Sequence, residues 1–282
     1  MRPRVFVLLV LSLSLLQAPG VAFTQDQLDQ HVAALKPTLP AGFTLVIQDP
    51  WIVIGNDTPD RVRAFATGTV RWATEKLKQN YFTKDPEQII DIWLFKDDAG
   101  YRKYARELFH DEPTTPYGYY SDAHHALVMN IGTGGGTLVH EMVHPFIRTN
   151  FTDCPTWFNE GLGSLYEQSA ERDGHIVGLT NWRLKGLQDA IRKRALPSFK
   201  DLAATSPADF YASDRGNNYA QARYLCYYLQ EKGLLLGFYR DFRDNVKNDP
   251  TGYNTLVRVL DQKDMAAFQK RWEDFVLKLA FP

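Results

Sequence analysis

Cysteine is scarce in this sequence. Two residues among 282, Cys154 and Cys226, rule out a disulfide-built scaffold and a structural zinc site made of cysteine pairs. Whether the two pair with each other or remain buried thiols is left open by the sequence. Long apolar runs are missing beyond residue 22, so the body of the chain offers no membrane-spanning helix. Neither sign of charge dominates: 32 basic residues stand against 33 acidic ones. That balance gives no electrostatic ground for nucleic acid or an anionic membrane as a partner. Repeats and low-complexity tracts are also absent. The 13% of aromatic residues is ample for a packed core.

The first 22 residues read differently from the rest. Arg2 and Arg4 precede an apolar run from Val5 to Leu16, and small residues close the segment at Gly20-Val21-Ala22. This pattern predicts a signal peptide cleaved after Ala22, with an uncleaved anchor as the alternative. Its removal takes away two basic residues and leaves 30 against 33, a net charge of -3. The expected product, residues 23–282, is exported, either secreted or periplasmic, with no stable membrane insertion.

Along that product, Gln25 to Lys36 has the spacing of a short amphipathic helix ending at Pro37. FTLVIQDPWIVIGN predicts a strand pair broken at Asp49-Pro50, and IIDIWLF a buried strand. Helical spacing covers Pro59 to Phe82, and Asp97 to Phe109 with an aspartate cap. YGYYSDAHHALVMNIG predicts two strands around a turn near Ser121-Asp122, which places His124 and His125 at the surface. A glycine-rich stretch, GTGGGT, follows; it lacks the lysine and spacing of a phosphate loop and suits a tight entry into a helix. Beyond residue 150 the pattern is mainly helical, with Thr156 to Ser169, 180–194, 217–232, 236–245 and 264–279 as expected helices. LYEQSAERDG is expected to end the first of these in a turn, which also holds His175. Arg192-Lys193-Arg194 reads as a solvated helix end. The expected fold is α+β: a mixed α/β lobe at 23–150 with a small sheet, joined to a helical lobe at 151–282 in one composite unit.

Chemistry concentrates in TLVHEMVHPF. On a helix, His140 and His144 lie one turn apart on one face and can converge on one metal ion. Glu141 projects about 100° away around the helix, beside that ion, where a carboxylate can take a proton from water. A third ligand is available in CPTWFNEGLGSLYE. Glu160 is expected on a helix packed antiparallel to the first, and Glu167 is its rival or a partner that orients a histidine. Pro145, directly after His144, cannot donate to the Glu141 carbonyl and is expected to kink or loosen the helix. An HExxH that merely packs as a helix is the competing reading.

His140-Glu141-x-x-His144 followed by Trp157-Phe158-Asn159-Glu160-Gly161-Leu162 resembles the gluzincin metallopeptidases of the peptidase MA-like group. The resemblance covers roughly residues 43–280. It implies a zincin-like fold, Zn2+ held by His140, His144 and Glu160, Glu141 as general base, and a peptide or protein substrate. It also implies a cleft edge along Ala126 to Ile131 and a cleft position for Tyr219, a candidate donor to the oxyanion. The chain departs from the thermolysin-like pattern at Ser164, where an aspartate usually stands, so the groups behind the ligands must differ. A zinc-binding protein without peptidase activity, serving in binding or assembly, is the alternative.

Overall fold

The computed structural model describes residues 23–212 and 217–281. The expected signal peptide lies outside the described residues. Among those described, no helix is long and apolar enough to cross a membrane.

The chain opens with α1 (Gln25–Leu35), capped by the Thr24 hydroxyl. A hairpin follows, β1 (Thr44–Gln48) and β2 (Trp51–Gly55). The long helical pattern then splits into α2 (Pro59–Phe65), a π-helical turn over Ala66–Arg71, and α3 (Trp72–Asn80). It returns the chain to β3 (Ile90–Phe95), parallel to β2. Next come α4 (Asp98–Phe109), capped by Asp97, and the strands β4 (Gly118–Ser121) and β5 (Ala126–Asn130). β5 pairs parallel to β3. The sheet order is β1-β2-β3-β5-β4.

Alternation along the central strands explains the layers. Val53, Ile92, Leu94, Leu127 and Met129 face one side of the sheet, with α2, α3 and α5 (Gly136–Asn150). Ile52, Ile54, Trp93, Phe95 and Val128 face the other, where α1 and α4 cover them. Side chains on successive strand positions point to opposite faces, so strands covered on both sides become apolar throughout. β2, β3 and β5 are buried at every position.

β5 is therefore interior, which corrects the expectation that Ala126 to Ile131 forms the cleft edge. β4 is the terminal strand. A second correction concerns LYEQSAERDG. The helix α6 (Thr156–Leu165) stops early, and a hairpin follows, β6 (Ser169–Arg172) and β7 (His175–Gly178). Asp173 and Gly174, both at positive φ, make its turn. His175 thus opens a strand, and its Nδ1 lies 2.7 Å from Asn80 Oδ1. His124 and His125 sit exposed in the β4–β5 turn as expected.

The remaining chain is helical: α7 (Arg183–Arg192), α8 (Phe199–Ala203), α9 (Pro207–Ala212), α10 (Asn217–Glu231), α11 (Leu235–Asn245), α12 (Tyr253–Val259) and α13 (Met265–Leu277). Trp157 and Phe158 of α6 pack on Phe238 and Phe242 of α11. Phe146 of α5 stacks on Phe82 at 5.1 Å and meets Trp51 of β2 edge-on. One apolar core thus runs from sheet to C-terminal helices. Cys154 and Cys226 are free thiols, Cys226 fully buried within this core.

Candidate metal centre

α5 and α6 carry the site, and glycines let them approach. Gly136 begins α5 against the backbone carbonyl of Glu167, where any Cβ would collide. Gly163 faces the His140 ring, and a Cβ there would lie 3.2 Å from its Nε2. Gly161 plays the same part toward the backbone of Ala222 on α10. The helix continues through Pro145 to Asn150, so the proline does not end it; Glu141 remains on the cleft.

His140, His144 and Glu160 converge, with one potential ligand atom from each lying within 4.8 Å of the others. His140 Nε2 is 3.3 Å from Glu160 Oε2. Ligands bound tetrahedrally to zinc at ordinary bond lengths stand ~3.3 Å apart, so this pair already has the spacing. The two imidazoles lie 4.9 Å apart between ring centres. His140 and Glu160 are buried, His144 half-buried.

The groups behind these three explain how the site does without an aspartate at Ser164. Glu167 lies just past the end of α6, not on it, and its Oε1 is 3.3 Å from His140 Nδ1. That nitrogen makes no aligned hydrogen bond and is otherwise without a partner. Arg183 holds both Glu167 oxygens, donating from Nε at 2.8 Å and from a terminal nitrogen at 2.7 Å, and Asn181 donates a third bond. Glu167 thus stands at the far nitrogen of His140, the place of an orienting partner and outside the group of three that could hold an ion. His144 Nδ1 lies 2.9 Å from Asn159 Oδ1. Donation to that oxygen leaves the lone pair on Nε2, the form a metal needs.

Electrostatics point the same way. Burial opposes charge on His140, but Glu160 and Glu167 outweigh it and push its pKa up to about 10. Burial likewise works against ionised Glu160, yet His140, His144 and Tyr211 bring it down to about 2. Glu167 is also about 2, its burial overcome by Arg183 and His140. A carboxylate at each nitrogen of a single buried ring favours positive charge at this point. A proton or a metal ion supplies it. The donor set of two imidazoles and a carboxylate is one that zinc accepts, so the residues present fit the ion.

Glu141 is half-buried on the same cleft. Burial raises its pKa against the pull of both histidines. The cleft holds about 370 Å³ and is walled by β4, His140, His144, Glu160, Arg183 and Tyr219. Tyr219 sits where the resemblance implied, with the Arg183 guanidinium 5.1 Å from its ring centre. Burial and then Glu160 raise its pKa far above the ordinary value, so it remains a hydrogen-bond donor.

Tyr211, Asn159, Asn181 and Arg183 complete the site and were not singled out from the sequence. Tyr211 donates to Glu160 Oε1 at 2.7 Å from a short helix 51 residues away. Asn159 had a signal, since it directly precedes the ligand; the other three had none, because their contacts are purely tertiary. Compared with known proteins, the chain matches no family model, and no curated protein matches it in sequence.

Proposed function

We propose that this protein is an exported zinc-dependent metallopeptidase of gluzincin type. The observation that carries this reading is the convergence of His140, His144 and Glu160, with one potential ligand atom from each within 4.8 Å of the others, beside Glu141 on the same cleft. His140, His144 and Glu160 would hold the ion. Zinc supplies a Lewis acid that polarises the scissile carbonyl and makes water acidic enough to lose a proton near neutral pH.

The chain's own residues do the rest. Glu141 accepts a proton from the attacking water and delivers it to the leaving amine nitrogen. Tyr219 donates a hydrogen bond to the carbonyl oxygen as it gains negative charge. Arg183 and Asn181 fix Glu167, and Glu167 fixes the tautomer of His140. β4, the terminal strand on the cleft, offers its free edge to an extended peptide.

Elemental analysis of chelator-free protein tests the reading. About one zinc per chain is expected, lost in His144→Ala. Glu141→Gln should keep its zinc and lose at least ~100-fold in peptide hydrolysis. Turnover unchanged in Glu141→Gln would reject the mechanism. Zinc bound with no hydrolysis in the wild type would move the assignment to a non-catalytic zinc protein. Folded protein that takes up no zinc would reject both.

A further inference from the structure

Beside the metal cleft lies a second cavity of about 450 Å³. Tyr117, Thr137, Glu167 and Trp182 line both, so the two are continuous. Their chemistry differs. The metal cleft is rich in titratable groups. The only carboxylate or cation lining the second cavity is Glu167, and both its oxygens are already held by Arg183. The other walls are glycines, threonine and serine residues, an amide, Val139, and the rings of Trp72, Tyr117 and Trp182.

The rings are placed unusually. Four large hydrophobic side chains stand exposed among the described residues, and Tyr117 (44%) and Trp182 (45%) are two of them. A third, Tyr211, bonds Glu160 at the metal site. Exposed aromatics scattered singly need no explanation, but Tyr117 and Trp182 together on one groove, with Trp72 in its wall, do. Trp182 is also held in place. Its neighbours Asn181 and Arg183 both bind Glu167, which fixes the backbone and leaves the indole at the cavity mouth. Tyr117 immediately precedes β4. A peptide paired along β4 and continuing past Gly118 therefore passes between Tyr117 and Trp182.

We infer that this second cavity is a specificity subsite for an uncharged, ring-bearing residue, proline or aromatic, of a peptide whose scissile bond lies in the metal cleft. The peptide nature of the ligand rests on the function proposed above. A charged side chain entering here would lose water and find no partner. A flat ring gains by stacking on rings already fixed, with little entropy to lose.

The test reads binding rather than cleavage. Blocked ten-residue peptides of four kinds are arrayed: rich in proline and aromatics, neutral aliphatic, acidic, and basic. Wild type, Trp182→Ala, Trp182→Phe, Tyr117→Ala and His144→Ala are applied, each shown folded by circular dichroism. The ring-bearing peptides should bind about tenfold more tightly than either charged set. Trp182→Ala and Tyr117→Ala should lose about tenfold on that set alone, and Trp182→Phe should retain most of it. His144→Ala should keep the same order of preference, so a failure of the zinc assignment leaves this subsite standing. Equal binding of all four sets, no binding of any, or a preference unmoved by Trp182→Ala overturns the inference. So does Trp182-dependent binding of neutral hexasaccharides in place of peptides, which would assign the rings to glycan.

Discussion

His140 is where sequence and packing meet most tightly. Its ring is fixed from three sides: Glu160 at Nε2, Glu167 at Nδ1, and Gly163 against its face. The last contact makes a sharp prediction. In Gly163→Ala the new methyl would stand 3.2 Å from Nε2 and Cδ2, tighter than ordinary contact, and push the ring off its carboxylates. Zinc affinity should fall ~10–100-fold with the fold retained, measured by competition with a chelating dye. Asn159→Ala should cost a similar factor by releasing the His144 tautomer. Affinities within about twofold of wild type would show that neither contact orients a ligand. Much of this residue-scale picture was readable from the chain. Spacing alone put His140 and His144 on one face with Glu141 about 100° around the helix, and Glu160 on the next helix, packed antiparallel to the first. Tyr211 and Arg183 were not readable, since they reach the site from helices whose placement depends on packing far away in sequence.

At the scale of elements, α6 is held by α10. Gly161 lies against the Ala222 backbone, and Arg223, fully buried, donates to the carbonyls of Ser164, Leu165 and Leu179. It ties the end of α6 to the segment before α7, and Glu167 hangs on the stretch between. Burial lowers the Arg223 pKa, yet its carbonyl partners and the Tyr224 ring at 4.8 Å keep a guanidinium tolerable there. Arg223→Met removes a donor from three carbonyls; Ser164 keeps the Glu167 backbone N–H, but those of Leu165 and Leu179 lose the guanidinium, and each buried group left unpaired costs ~1–3 kcal/mol. A loss of about 3 kcal/mol or more in urea unfolding is the expected outcome, together with weaker zinc binding. A change under about 1 kcal/mol would mean that water replaces the guanidinium. Element identity was legible where period and length agreed, as for α5, β2 and β3. The β6–β7 hairpin was missed because its strands are only four residues each and β6 has no buried position to give a pattern. The mistaken cleft edge has a physical cause too. ALVM is apolar throughout and the whole strand is buried, the mark of a strand covered on both faces, whereas Gly118–Ser121 is only partly buried.

Across the whole molecule, the candidate metal centre lies on the seam between the sheet lobe and the helical lobe. α5 packs on β5 with one side and on α6 with the other. One core links Val53, Leu94 and Met129 of the sheet to Phe146, Phe158, Phe238 and Trp272 beyond it. Neither lobe can unfold without exposing the apolar face of its neighbour, so the chain should melt in one transition. Far-ultraviolet and near-ultraviolet circular dichroism should then give coincident curves. Because the proposed ligands come from α5 and α6 together, zinc would bind the joined state and not the parted lobes. At a free concentration 100 times its dissociation constant, it should add about 2.7 kcal/mol of stability. For a chain of this size that raises the melting temperature by several degrees. His144→Ala should keep the single transition and lose the zinc-dependent rise. Two resolved transitions, with zinc raising only one of them, would mean that the lobes are separate cooperative units, and that the seam holds the site by docking rather than by a shared core.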